Sequence, residues 1–260
     1  MTERTIETRR GIKCKVREQG RGAPLVFLHG AGGLAAQEPL LDALAERFHV
    51  FAPTWPGFGV EAGEELLEDM LDFTLHGWDV VEALGLERPH LVGHSMGGMI
   101  AAEMACTNNA ALGKLALLAP VGLWLDAHPI PDLFATPPWE LPRLLFADAA
   151  AGQKLLLAGL DFGNDAALTK FMVDNARRLG SAGKILFPIP NRRLSKRLYR
   201  LRAETLLVWG RADALVPPVY AARWQELIPG ARLAWVEGAG HMLTLEQPAA
   251  VAEALAGFIT

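Results

Sequence analysis

Residues 89–100 hold the densest chemistry in the chain: a short apolar run ends in Gly93-His94-Ser95-Met96-Gly97, and Gly98 opens a helix-like run through Met104. The spacing reads strand, sharp turn, helix, the context in which G-x-S-x-G presents a serine as a nucleophile. Such a turn strains the serine backbone at the top of a sheet, and Gly93 and Gly97 leave out β-carbons that would strike the neighbouring strand and helix. The expectation is a presented hydroxyl on Ser95 rather than an ordinary βα turn. A serine hydroxyl attacks a carbonyl only when a base removes its proton, and the base needs a carboxylate that fixes its tautomer.

Two residues fit those roles by position. Asp213 follows the strand-like run 204–209 and His241 follows 232–236, so each lies beyond the carboxyl end of a predicted strand, the edge where Ser95 also lies and where open α/β sheets place their ligand sites. A second acid, Asp126, follows the predicted strand 115–119. The tight Gly210-Arg211-Ala212-Asp213 loop, with Val216-Pro217-Pro218 fixing its exit, makes Asp213 the better mount, because Asp126 lies seven residues past its strand. His29-Gly30-Ala31-Gly32-Gly33 follows the run 25–28, and three glycines there leave backbone N–H groups close to the top of the sheet.

The elements that must hold these residues are legible in outline. Residues 4–9 and 12–18 alternate around Arg10-Gly11 and predict an antiparallel hairpin at one edge. Continuous apolar runs at 25–28, 50–52, 91–92, 115–119, 206–209 and 233–236 alternate with helical segments at 37–48, 64–85, 218–228 and 248–258. That pattern predicts an α/β core with a mostly parallel sheet covered by helices on both faces. Residues 122–200 hold seven of the 17 prolines and no convincing strand, with helix-like pieces at about 140–147, 151–160, 165–179 and 191–201. The expected organisation is a core of residues 1–121 and 203–260 with a helical cap, 122–202, inserted between them. The piece 191–201 places Leu194, Leu198 and Leu201 on one helical face and predicts a solvated basic face from Arg192, Arg193, Lys196, Arg197 and Arg200.

Composition narrows the partners. At 260 residues and 51% hydrophobic content the chain can bury a large core, and a net charge of −4 spread thinly argues against nucleic acid and anionic membranes, leaving a small-molecule substrate. No apolar run approaches the roughly 18–20 residues that span a bilayer, and residues 1–11 lack the apolar centre of a signal peptide. With Cys14 and Cys106 as the only cysteines, both expected as thiols, the cytoplasm is the expected compartment. No metal-ligand spacing, P-loop or G-x-G-x-x-G opening of a helix occurs, so neither metal nor cofactor is expected. Trp55, in the stiff loop 53–59, and Trp124, Phe134 and Trp139, in the apolar front of the cap, are the candidate substrate-binding residues.

Leu28-His29-Gly30, the Ser95 pentapeptide, Gly210-Arg211-Ala212-Asp213 and Gly240-His241, in the chain order serine, aspartate, histidine, together resemble the α/β-hydrolase fold family across essentially the whole chain. The resemblance implies Ser95 as nucleophile, His241 as general base and acid, Asp213 as orienting carboxylate, and an oxyanion hole from the backbone N–H groups of Ala31 and Met96. It implies hydrolysis of small, apolar carboxylic esters through an acyl-enzyme. The serine excludes family members with an aspartate nucleophile. Residues 114–123 and Gly-x-Ser-Met-Gly-Gly also resemble the meta-cleavage-product hydrolases, which cleave a carbon–carbon bond; His241-Met242 departs from the His-Trp pair of that group. Lactone and thioester hydrolysis need the same triad. A non-catalytic receptor on this fold is the remote alternative, since such proteins lose a triad member or oxyanion element and none is missing here.

Overall fold

A computed structural model describes residues 1–59, 63–156 and 163–260. Its elements run β1 (Thr2–Glu7), β2 (Lys13–Gln19), β3 (Pro24–Leu28), α1 (Pro39–Ala45), β4 (His49–Pro53), α2 (Met70–Ala83), β5 (His90–His94), α3 (Met96–Thr107) and β6 (Leu115–Leu118). There follow α4 (Leu141–Leu145), α5 (Ala149–Leu156), α6 (Asp165–Leu186), β7 (Thr205–Gly210), α7 (Val219–Leu227), β8 (Arg232–Val236), α8 (Leu243–Glu246) and α9 (Pro248–Ile259). The strands form one sheet in the order β1-β2-β4-β3-β5-β6-β7-β8. The β1–β2 and β2–β4 pairs are antiparallel and every later pair is parallel.

The burial explains the sequence pattern. Residues of β3, β5, β6 and β7 are almost all buried because helices cover both faces, so these strands carry unbroken apolar runs and no alternation. The edge strand β1 is exposed at all positions except Ile6. No helix among the described residues is long and apolar enough to cross a membrane.

Several boundaries depart from expectation for local reasons. The helix expected over 64–85 begins only at Met70, where the Asp69 carboxylate accepts hydrogen bonds from the N–H groups of Leu71 and Asp72 at 2.8 and 3.1 Å; residues 64–66 form a separate 3₁₀ turn. Of the piece expected at 151–160, residues 151–156 belong to α5 and 157–160 lie outside the described residues. The piece expected at 165–179 continues to Leu186 as α6, burying Ser181, Ala182, Ile185 and Leu186.

The basic stretch is the largest correction. Residues 191–201 form two 3₁₀ turns, Leu194–Lys196 and Leu198–Arg200, rather than an α-helix, and Arg193 enters the first in the left-handed region at φ 59°. Leu194, Leu198 and Leu201 are buried as their spacing requires, but the cationic face is not simply solvated. Arg197 forms a forked ion pair with Glu103 of α3, its Nε 2.7 Å from Oε2. The Arg200 Nε donates to the Cys106 carbonyl at 2.9 Å, and Arg192 donates to the Phe187 carbonyl at 2.6 Å. The Arg197 and Arg200 contacts bind the segment between β6 and β7 to the helix that follows Ser95. At its other end α6 reaches the loop before α2, where Arg177 pairs with Glu64 and Lys184 Nζ donates to the Leu67 carbonyl at 2.8 Å.

Arg197→Met is expected to destabilise the protein, because the Glu103 carboxylate, 4% exposed, would lose its counter-charge. Removing one partner of a fully buried pair costs about 3–5 kcal/mol. The Arg197 side chain is 37% exposed, so solvent screening brings the expected loss to about 2 kcal/mol. Urea unfolding of the two proteins measures it, and an unchanged midpoint would refute the assignment.

Candidate active site

Ser95 joins β5 to α3 at φ 54° and ψ −114°, a backbone conformation of the kind that costs about 1–3 kcal/mol for a residue with a side chain. Two features enforce it. The Ser95 N–H donates to the Leu118 carbonyl of β6 at 2.9 Å, and α3 packs so close to β3 that a β-carbon on Gly97 would overlap the Leu28 carbonyl. Gly93 is equally constrained, since its β-carbon would overlap the Gly97 carbonyl.

The hydroxyl meets His241, whose Nε2 lies 2.8 Å from Ser95 Oγ, while its Nδ1 lies 2.9 Å from Asp213 Oδ2. The other Asp213 oxygen, Oδ1, accepts from the N–H groups of Leu215 and Val216 at 3.0 and 2.8 Å. A carboxylate engaged in this way accepts at both oxygens, so Nδ1 of His241 carries the proton and Nε2 presents its lone pair to the serine hydroxyl. Ser95, Asp213 and His241 are 6, 3 and 2% exposed, so the serine is far less exposed than expected.

Asp126 is elsewhere. Its Oδ1 accepts from the Trp124 indole N–H at 3.0 Å at the protein surface, so the structure brings Asp213, and not Asp126, to the imidazole.

The glycine loop is fixed by His29. The Trp55 N–H donates to His29 Nε2 at 3.1 Å, which leaves Nδ1 as the protonated nitrogen, donating to the Gly30 carbonyl at 2.8 Å. That carbonyl also accepts from the Gly33 N–H at 3.1 Å. Because C=O and N–H point opposite ways across one peptide plane, holding the Gly30 carbonyl also fixes the direction of the Ala31 N–H. Met96 is the first residue of α3, so its N–H lies beyond intrahelical reach. A β-carbon on Gly30 would come within 3.3 Å of Ser95 Cβ, which places this loop against the serine.

A cleft enclosing about 410 Å³ of empty space, part of it open to solvent, reaches Ser95. Val121, Ile130, Leu133, Phe134, Leu186 and Leu215 give it an apolar wall, and Asp132 is its one ionisable neighbour apart from the catalytic candidates. Among the four candidate substrate-binding residues, only Phe134 lines it. Trp55 is 3% exposed and packs under the loop against Phe73 and His76, so it belongs to the core. Trp124 is tied to Asp126 and rests against the core edge, and Trp139 is 74% exposed on the surface. The sequence shows aromatic residues but not which way a loop turns them.

Two contacts to the His241 loop have no signal in the sequence. Glu246 accepts from the Gly240 N–H at 2.7 Å and from the Ala147 N–H at 2.8 Å. His94 Nε2 lies 2.9 Å from the His241 carbonyl oxygen. The Glu246–Ala147 and His94–His241 contacts join residues far apart in the chain, and the side chains involved have no distinctive spacing. Among the described residues no group of three or more His, Cys, Asp or Glu side chains is arranged to hold a metal ion.

A mostly parallel sheet with a strained serine at the end of β5, facing an aspartate from beyond β7 and a histidine from beyond β8, has the architecture of an α/β hydrolase. Residues 25–254 match the sequence model of the alpha/beta hydrolase family, and the chain belongs to that family. It is 32% identical over 256 residues to a dihydrolipoyllysine-residue acetyltransferase component of an acetoin cleaving system from Cupriavidus necator; the match covers 91% of this chain but only 64% of that protein. It is 29% identical over 250 residues to a 2-hydroxy-6-oxo-6-phenylhexa-2,4-dienoate hydrolase from Comamonas testosteroni, covering 88% of this chain and 85% of that one. A naproxen esterase from Bacillus subtilis shares the fold at a TM-score of 0.72 and 22% identity, over 100% of this chain and 91% of the other.

Three buried histidines lie outside the Ser95–His241–Asp213 line. Burial pushes His29 and His76 down to about 4 and His94 down to about 3, from 6.5. The unfolded chain therefore binds protons that the folded chain refuses between pH 6.5 and 4, so their contribution to stability is complete above 6.5 and is lost as pH falls through that window. Imidazole NMR is expected to show all three neutral at pH 5.5. A charged signal from any of them at that pH would contradict the burial argument for that residue.

Proposed function

We propose that this hydrolase cleaves small, apolar carboxylic esters through an acyl-enzyme on Ser95. The observation that carries the reading is the continuous line from Ser95 Oγ through His241 to Asp213, at 2.8 and 2.9 Å, with the serine at the foot of the cleft. His241 Nε2 takes the hydroxyl proton as Oγ attacks the ester carbonyl. The carbonyl oxygen becomes an oxyanion facing the Ala31 and Met96 N–H groups, each worth about 2.7–4 kcal/mol when such a donor is removed. As the tetrahedral species collapses, the C–O bond breaks and the imidazolium gives its proton to the departing alcohol. Water then attacks the acyl carbon, again losing a proton to Nε2, and the acid leaves as Oγ is reprotonated. Asp213 stabilises the imidazolium in both halves.

The segment 122–202 acts as the cap, supplying Ile130, Leu133, Phe134 and Leu186 to the cleft wall. An apolar wall favours short to medium uncharged acyl groups.

A second reading rests on Arg178. Its Nη1 donates to the Gly32 carbonyl at 3.3 Å, beside the proposed oxyanion loop, and its Nε is buried with no hydrogen-bond partner among the described residues. Such a cation suits an acidic substrate, and the Comamonas testosteroni relative is a hydrolase of a dienoate.

A panel of p-nitrophenyl esters with graded acyl chains, run beside a dienoate meta-cleavage product, separates the two. Faster turnover of apolar esters supports the first reading; faster turnover of the dienoate, lost in Arg178→Met, supports the second. Ser95→Ala is expected to cost about 10⁶-fold in kcat while the fold is kept. Asp213→Asn is expected to cost about 10⁴-fold by holding the wrong tautomer, and Asp126→Asn to leave the rate within a factor of about two. The reverse ranking of the two aspartate variants would overturn the acid assignment.

A further inference from the structure

The His241 loop is held by the Ala212 N–H, which donates to the Ala239 carbonyl at 3.0 Å, and by three further contacts. The Met242 N–H donates to the Leu145 carbonyl at 2.9 Å, and the Gly240 N–H donates to Glu246 at 2.7 Å. Both of these partners belong to elements remote from the serine turn. The third point differs: His94, adjacent to Ser95 in the chain, reaches the carbonyl oxygen of His241 itself at 2.9 Å. A carbonyl oxygen only accepts, so His94 Nε2 carries a proton and donates it.

The geometry points to His94 as a positioning residue for His241, and this rests on the proposed roles of Ser95 and His241. Transfer of the serine proton requires Nε2 to stay within hydrogen-bond reach of Oγ while Nδ1 stays on Asp213. Ser95 is set by the turn, whereas His241 stands on a loop after the last strand, β8, at the edge of the sheet. Through His94 the backbone of the base is referenced to the residue next to the nucleophile, so a shift of that loop cannot open the Ser95–His241 gap without breaking the bond.

The surroundings of His94 fit this role. Its ring is buried and its centroid lies 5.1 Å from that of His241, tilted by 41°. Its Nδ1 faces Gly30, where a β-carbon would come within 3.3 Å, so the ring fills the space between the glycine loop and the His241 loop. Burial holds it neutral, with its pKa pushed down to about 3, so it offers a donor without placing a second cation beside the imidazolium that forms on His241. A lysine or arginine would donate as well but would oppose that charge.

The test compares His94→Gln, whose amide nitrogen occupies roughly the place of Nε2, with His94→Asn, which is too short, and His94→Leu, which fills space without a donor. The expected result is wild-type behaviour in the Gln variant and, in the Asn and Leu variants, a kcat for p-nitrophenyl ester hydrolysis lowered by up to about 100-fold with KM within about twofold, as misplacement of a reacting group produces. A substrate-free readout accompanies it: the low-field proton resonance of His241 Nδ1–H, assigned by its absence in His241→Gln, is expected to persist in the Gln variant and to broaden or vanish in the other two. The resonance judges His94 even where no tested ester is turned over, so failure of the ester reading is distinguishable. Unchanged kcat and resonance in the Asn variant would overturn the assignment, as would equal loss in folded Gln and Asn variants. If the Leu variant does not fold, the Gln–Asn pair decides alone.

Discussion

The close approach of α3 to β3 is the constraint on which the site depends. With no β-carbon at Gly97 the helix start lies against the Leu28 carbonyl, and the chain can leave β5 only through the strained conformation of Ser95. The strain is sustained by neighbours that over-determine it: the Leu118 carbonyl takes the serine N–H, and β5, buried beyond His90, and the wholly buried β6 cannot shift to relieve it. The first N–H of α3, that of Met96, is thereby set beside the hydroxyl without spending an intrahelical bond. One packing contact thus sets the Ser95 hydroxyl, the Met96 N–H and the strand end together.

The other parts are assembled around that fixed point by hydrogen bonds whose direction follows from chemistry. Asp213 accepts at both oxygens and so dictates the His241 tautomer; the Trp55 N–H dictates that of His29, and through it the orientation of the Gly30–Ala31 peptide. In each case a backbone donor that cannot change its role forces the choice on a ring that can. This is why neutral, buried histidines recur around the serine: each is an adjustable group locked by an unadjustable one.

The core was legible because its physics is local or periodic. Unbroken apolar runs of two to five residues between helical segments declare strands covered on both faces, and the glycines beside Ser95 mark a turn that only they permit. Asp213 and His241 could be picked out because strand ends are countable. What the sequence left obscure depends on contacts between distant segments. The stretch 191–201 has helical apolar spacing, yet Glu103 and the Cys106 carbonyl draw its arginines into 3₁₀ turns instead. Trp55 and Trp139 are the same residue type in similarly proline-rich loops, and one is core while the other is solvent-facing. His94 reaches the His241 loop by folding alone.

The segment between β6 and β7 is tied to the sheet layer by two unequal ion pairs. In one, Glu103 and Arg197 are 4 and 37% exposed; in the other, Glu64 and Arg177 are 25 and 33% exposed. Dissolved ions screen the more open pair more effectively than the sheltered one. Rising ionic strength is therefore expected to weaken the Glu64–Arg177 pair before the Glu103–Arg197 pair, whose carboxylate is sheltered. Salt-dependent hydrogen exchange along α6, faster near Arg177 while residues 194–200 stay protected, is the trace this asymmetry leaves, and uniform acceleration of both regions would contradict it.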